Sequence, residues 1–187
     1  MILFVGLGNP TPDSENNRHN IGFKIIDAIN QKFGLSKQKP KFKGLLTTGN
    51  INNKKVYAIK PLTFMNNSGI CIRELLEYFK IDAENVIVFH DDLDINFGKI
   101  KAKFGGSSAG HNGVASIDKF IGKEYSRVRV GIGKPSTKMD ASDFVLNNFD
   151  EDEMQELKKI TTNITDSLSI LIDKKLDLFS STVNNNQ

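Results

Sequence analysis

The 187-residue sequence has one cysteine, no tryptophan and five prolines. A lone Cys71 closes no internal disulfide and supplies no thiolate metal cluster, which fits a reducing, cytoplasmic compartment. No apolar run approaches the roughly 20 residues that a membrane helix needs. The opening Met1-Ile-Leu-Phe-Val-Gly6 lacks a basic segment and a cleavage site, so it is expected to be a strand rather than a signal peptide. Hydrophobic residues make up 39% and charged residues 25%, which excludes wholesale disorder and leaves enough apolar material for one sizeable core.

The net charge of +3 conceals segregation. Residues 1–60 carry 10 Lys/Arg against 3 Asp/Glu, and residues 101–138 carry 8 against 2. The intervening 61–100 and the final 139–187 are acidic, with 3 against 7 and 4 against 10. Two basic blocks can fold into one positive face for a polyanion, or remain solvated lysines; charge alone does not decide.

Residues 1–5 are apolar without alternation, as a strand covered on both faces should be. Ile21, Ile25, Ile29 and Phe33 recur at helical spacing, and Gly34 stands where a C-cap would. Leu45–Ile51 and Val56–Ile59 read as a hairpin around Asn52-Asn53. Ile72, Leu75, Leu76 and Phe79 form one helical stripe over 68–80. Val86–Phe89, Lys99–Phe104 and Val128–Ile132 read as strands, with a helix from about His111 to Ile121 between the last two. Asp150 and Glu153 have capping-box spacing, opening a helix expected to reach about Lys174. We expect one α/β domain over residues 1–179, with a frayed polar tail at 180–187. Strands alternating with helices predict a mostly parallel, twisted mixed sheet with helices on both faces.

All three histidines lie in polar motifs at element ends: Arg18-His19-Asn20, His90-Asp91-Asp92-Leu93-Asp94 and Gly110-His111-Asn112-Gly113. Strand ends of open α/β sheets are where binding groups gather. Gly6-Leu-Gly8-Asn9-Pro10 lacks the third glycine of a dinucleotide fingerprint, since Thr11 stands there. The His-Asp-rich segment 90–94 has neither EF-hand spacing nor enough histidine and cysteine partners for zinc, so no metal and no cofactor is expected. One carboxylate paired to a histidine elsewhere is the better reading. Gly105–Gly110 lacks a Lys-Ser/Thr ending, which argues against a P-loop and for a lid, flanked by Lys101, Lys103, Arg127 and Arg129 as possible phosphate contacts. Asn66 or Asn67 can cap the following helix, or Asn66 can face a cleft with Phe64 as an apolar platform. Cys71 reads as a small packed residue.

Taken together, Val5–Pro10, Arg18–Asn20, Lys60–Asn66 with Ser68-Gly69, His90-Asp91 with Leu93-Asp94, Gly110–Gly113 and Arg129–Gly133 resemble bacterial-type peptidyl-tRNA hydrolases, collinearly and over nearly the whole chain. The resemblance implies a phosphorylase/hydrolase-like three-layer sandwich. It also implies metal-independent hydrolysis of the ester between a peptide, or N-blocked amino acid, and the terminal ribose of tRNA. It implies a cytoplasmic monomer without an obligate protein partner or membrane, whose substrate is bound by its acceptor stem and CCA end, and whose activity recycles tRNA from abandoned translation.

Residue by residue, His19 matches the general base and Asp91 its carboxylate partner. Asn9 matches the site that separates blocked from unblocked aminoacyl-tRNA. Asn66 and Asn112 match amides that hold the peptide and the tRNA 3′ end, Phe64 a tRNA contact, and Lys103 and Arg129 a phosphate clamp. Against the family pattern N-P-G-x-x-Y-x-x-T-R-H-N, the chain has Thr11 for glycine, Ser14 for the tRNA-contacting tyrosine and Asn17 for threonine. A non-catalytic RNA-binding protein on the same scaffold is the alternative; such a module has no need of both His19 and Asp91.

Overall fold

The strand at the start of the chain, β1 (Ile2–Gly6), lies at the centre of a seven-stranded sheet in the computed structural model, which describes all 187 residues. The other strands are β2 (Lys39–Lys41), β3 (Gly44–Ile51), β4 (Lys54–Pro61), β5 (Val86–Asp92), β6 (Ile100–Phe104) and β7 (Ser126–Gly131), in the spatial order β2-β3-β4-β1-β5-β7-β6. The four middle strands run parallel, and β2, β3 and β6 join antiparallel at the edges.

The helices are α1 (Ile21–Phe33), α2 (Ser68–Phe79), α3 (Asn112–Ile121), α4 (Ala141–Val145), α5 (Glu151–Asp166), α6 (Leu168–Ile172) and α7 (Leu176–Asn185), and all but the short α4 cover the two faces of the sheet. Ile2 and Phe4 point into one apolar layer with α1, α5, α6 and α7. Leu3 and Val5 point into the other, with α2 and α3. Burial on both faces is why β1 shows no polar alternation. The expected three-layer α/β arrangement is therefore observed.

Helix α1 ends on Gly34 in the left-handed region (φ +57°), and α5 opens with the full Asp150/Glu153 capping box. Glycine is required where α1 meets the sheet. A Cβ on Gly6 would stand 2.2 Å from the Gly22 carbonyl oxygen, and one on Gly22 would stand 2.3 Å from the Leu7 nitrogen. This backbone-to-backbone contact seats the first turn of α1 on β1 and β5, and so puts His19 over their carboxyl ends.

Two expectations fail. The helix from Asp150 stops at Asp166 rather than near Lys174, with a break at Ser167 before α6. Hydroxyls of Thr161 and Thr162 bond carbonyls four residues back, and Thr165 bonds one three residues back, competition that bends helices. The tail expected to fray from Ser180 is instead the body of α7. Phe179 and Val183 are fully buried. Ser180 Oγ accepts from the Ala102 amide at 2.8 Å, and the Asn184 amide bonds both backbone groups of Ile100 at 2.9 Å. These i, i+4 side chains satisfy the open edge of β6, which would otherwise present an unpaired edge.

Candidate active site

Three titratable side chains converge above the ends of β1 and β5. Asp91, 2% exposed, takes His19 Nδ1 at 2.8 Å on Oδ2 and His111 Nε2 at 2.8 Å on Oδ1. The tautomers follow from the remaining partners. His111 is the N-cap of α3, and its Nδ1 accepts from the Gly113 and Val114 amides at 3.1 and 3.3 Å. That nitrogen is bare, so Nε2 carries the proton given to Asp91. A neutral His19 that donates from Nδ1 leaves Nε2 as a free base. Burial disfavours the Asp91 charge, but His111 and His19 outweigh it and hold the carboxyl well below the ordinary range. The three donor atoms lie within 4.8 Å of one another, a spacing a metal could use. Both nitrogens facing Asp91, however, sit at ordinary N–H···O distance, and His111 spends its other nitrogen on the helix cap.

His90, adjacent in sequence, stands behind this trio. Its Nδ1–H donates to the Asp91 carbonyl at 2.8 Å, and its ring meets that of His111 edge-on at 4.9 Å. Burial first, then the neighbouring His111, drives its pKa down to about 3, so it stays neutral. Its Nε2 is buried without a partner.

Asn9 is fixed by three hydrogen bonds. Its Oδ1 accepts from the Met65 amide at 2.9 Å, while Asn20 brackets its backbone with Nδ2 to the carbonyl and Oδ1 from the amide, each 2.9 Å. With Oδ1 taken, Asn9 Nδ2 is the donor offered to the cleft. That cleft, about 390 Å³, is lined by Asn9, Ser14, His19, Phe64, Asn66 and Asn112, under Ser142, Val145 and Leu146. The amides of Asn66 and Asn112 are exposed to it. Phe64, 54% exposed, has φ +60° and ψ 160°, a region nearly reserved for glycine. A second cavity of about 250 Å³ borders His19 on its other side, between the Ser108–Gly110 loop and α4, with Asp92 and Asp94 in its wall.

The remaining sequence-derived candidates divide. Ser14 lines the cleft but is buried, and its hydroxyl meets that of Thr11 at 2.6 Å, so two departures from the family pattern are partners of each other. Lys103 is exposed and its ammonium lies over Gly106. Arg129 donates from Nε to Asp92 at 2.8 Å and is a quarter exposed. Arg127, expected beside them as a phosphate contact, is not available for that role: it is 2% exposed and spent on Asp118 and the Ser107 carbonyl, where it pins the glycine loop. Cys71 is fully buried and its thiol is pushed up to about 12, chiefly by burial, which fits packing and not nucleophilic use.

Residue-level reading missed His111 as the second partner of Asp91, His90 behind it, Asn20 as the clamp on Asn9, and α4 as the roof. It also missed Arg18, which ties the His19 turn to the chain after α4. Arg18 bonds the carbonyls of Asn147 and Asn148 and Glu153, and its guanidinium lies 4.5 Å from the Phe144 ring centroid. The motifs that contain His111, Asn20 and Arg18 were visible; their pairings exist only in the fold.

A model of the peptidyl-tRNA hydrolase family matches residues 3–187. The chain is 83% identical to a peptidyl-tRNA hydrolase of Pelagibacter ubique, over 99% of this chain and 100% of that one. It is 44% identical to the peptidyl-tRNA hydrolase of Ehrlichia canis, over 98% and 94%. The crystal structure of peptidyl-tRNA hydrolase from Acinetobacter baumannii superposes with a TM-score of 0.91 at 33% identity, covering 98% of this chain and 94% of that one. An Arabidopsis thaliana 5′-methylthioadenosine nucleosidase shares the fold alone, at TM-score 0.50 and 8% identity.

Proposed function

The chain belongs to the peptidyl-tRNA hydrolase family, and from that premise we propose that His19 is the general base of the reaction and Asp91 the carboxylate that orients it. The reaction is hydrolysis of the ester between a peptide and the 3′-terminal ribose of tRNA. The observation that carries the assignment is the His19–Asp91–His111 relay, which leaves one bare imidazole nitrogen beside a cleft lined by side-chain amides.

Water held by His19 Nε2 attacks the ester carbonyl as the imidazole takes its proton. The imidazolium that forms sits against an ionised carboxylate, and Asp91 stays ionised because its pKa is far below neutrality. Asn9 Nδ2 and the amides of Asn66 and Asn112 donate to the developing oxyanion and to the peptide backbone. His19 then returns the proton to the departing ribose oxygen. Phe64 serves as a platform for the 3′ end, and Ser14, paired to Thr11, forms part of the wall of the same cleft. Lys103 and Arg129 hold backbone phosphate, Arg129 from its pairing with Asp92.

Asn9 also supplies the discrimination. A free aminoacyl-tRNA presents an ammonium where the substrate presents a neutral amide, and a cleft of amide donors gives that charge no partner. No helix is long and apolar enough to cross a membrane. We read the protein as acting in the cytoplasm, where charged tRNA is, as a monomer that needs no obligate protein partner.

The test is the ratio of kcat/KM for N-acetyl-aminoacyl-tRNA to that for the unblocked aminoacyl-tRNA. Asn9→Asp is expected to narrow that ratio by offering the ammonium a carboxylate. An unchanged ratio would place discrimination elsewhere.

A further inference from the structure

Arg18 precedes His19 in the same 3-10 turn (Arg18–Asn20) and meets three separate parts of the chain. Its Nη1 donates to the carbonyls of Asn147 (3.3 Å) and Asn148, directly after α4, and its Nη2 donates to Glu153 at 2.8 Å, in the first turn of α5. Its guanidinium lies 4.5 Å from the Phe144 ring centroid in α4 and 5.3 Å from that of Phe149. The backbone repeats the link. The Arg18 amide donates to the Asn147 carbonyl and the Phe149 amide to the Asn16 carbonyl, each at 3.0 Å, with Asn17 bridged to Asn148 between them.

We propose that Arg18 is a positioning residue for the reaction, which locks the turn carrying the base to the roof of the site. The inference rests on the reading that His19 is that base, and three observations carry it. The first is what holds α4. None of its five residues is buried, yet Ser142 and Val145 wall both of the cavities that flank His19. The helix owes its place to the Arg18 contacts and to the partly buried Phe144 and Val145. The second is anchorage. Glu153 Oε1 also accepts from the Asp150 amide at 3.2 Å in the capping box, and α5 buries Leu157, Ile160 and Ile164 in the core. One end of Arg18 therefore rests on a fixed element, from which the base turn and the roof both take their places. The third is commitment. The Arg18 side chain is 11% exposed and its fork is turned to carbonyls and a carboxylate, so it acts on substrate only through what it holds. A planar guanidinium can bond these acceptors while stacking on a ring, which a lysine ammonium cannot reproduce.

The experiment is single-turnover cleavage of N-acetyl-aminoacyl-tRNA over a range of enzyme concentrations, at a temperature below the Tm of every variant. Arg18→Lys is expected to lower the rate at saturation about ten- to a hundredfold, the scale of a displacement of about 1 Å at a reacting group. It should also raise the enzyme concentration needed for half-saturation, because the roof loosens. Glu153→Gln keeps a capping-box residue and borders neither cavity, so a slower rate in that variant reaches the site through Arg18. Its rate should fall, and Arg18→Lys combined with Glu153→Gln should be no slower than Arg18→Lys alone. In a His19→Ala background, Arg18→Lys should cost little further at saturation. An Arg18→Lys rate within about twofold of wild type, losses that multiply with Glu153→Gln, or an undiminished loss in the His19→Ala background would each overturn the proposal. So would a change of about one in the slope of log K against log[salt], which would make Arg18 a phosphate contact. A wild-type rate in His19→Ala alone would refute the catalytic reading itself, and the positioning role would fall with it.

Discussion

Acidification should destabilise this protein well above the pH at which carboxylates protonate, because of His90. An unfolded histidine titrates near 6.5, whereas burial and the neighbouring His111 lower the folded His90 to about 3. A lowered histidine pKa favours the neutral form in the folded state, so its contribution is intact above pH 6.5. It is lost as pH falls, because only the unfolded chain then takes up the proton. One proton of difference gives a slope of about 1.4 kcal/mol per pH unit. Between pH 7.5 and 4.5 the loss is about 3 kcal/mol, or roughly 6–12 °C in Tm for a chain of this size. Asp91 acts in the same direction but later, since a depressed carboxyl loses its contribution only below the ordinary range near pH 4. Urea titrations at pH 7.5, 6.0 and 4.5 on wild type and His90→Asn measure the effect. The variant cannot titrate there and should keep about 3 kcal/mol more of its own neutral-pH stability at pH 4.5. If both proteins lose the same amount, His90 is not the source.

Three further outcomes follow from single contacts. His111→Asn preserves a good N-cap for α3 but leaves the buried Asp91 oxygen without its partner; Tm should fall by roughly 3–12 °C and kcat by about tenfold or more in the still-folded variant, the worth of one hydrogen bond to a charged group, and an unchanged kcat would remove His111 from the relay. Phe64→Gly releases a strained backbone worth roughly 1–3 kcal/mol, partly offset by unfolded-chain entropy, so urea stability should hold or rise while KM for peptidyl-tRNA increases; a loss above about 1 kcal/mol would mean the conformation is unstrained. Lys103→Ala should raise KM for full-length peptidyl-tRNA, spare a substrate ending in a short 3′ fragment, and lower the slope of log K against log[salt] by about one, whereas equal effects on both substrates would discard the phosphate clamp.

What could be read from residues alone was the local part of the fold. The stripe Ile21, Ile25, Ile29 and the stop at Gly34 describe α1 because helix periodicity and a left-handed cap are properties of adjacent residues. Alternating strands and helices similarly predict the sheet. Helix α4 has five residues and no apolar stripe of its own, and β2 has three exposed residues, so neither carries a periodic signal. Helix α7 was missed because its polar face looks like a frayed tail, although Ser180 and Asn184 are aimed at the backbone of β6. In the site, His19 and Asp91 were legible through the resemblance. That His111 divides Asp91 with His19, with Nδ1 spent on a helix cap, depends on two helix starts meeting at one strand end. Arg127 misled for the same reason: a basic residue on a strand looks available until Asp118 is found beside it.

Whether His19 is the base is decided by single-turnover cleavage of N-acetyl-aminoacyl-tRNA by His19→Ala beside the wild type at saturating enzyme. Saturation removes binding from the comparison, and an unchanged circular dichroism spectrum and Tm would establish that the variant is folded. General-base catalysis contributes about 10²–10⁴-fold, and no other bare imidazole nitrogen borders the amide-lined cleft. A rate reduced by at least about a hundredfold is expected in the variant, and a reduction of less than about tenfold would remove His19 as the base.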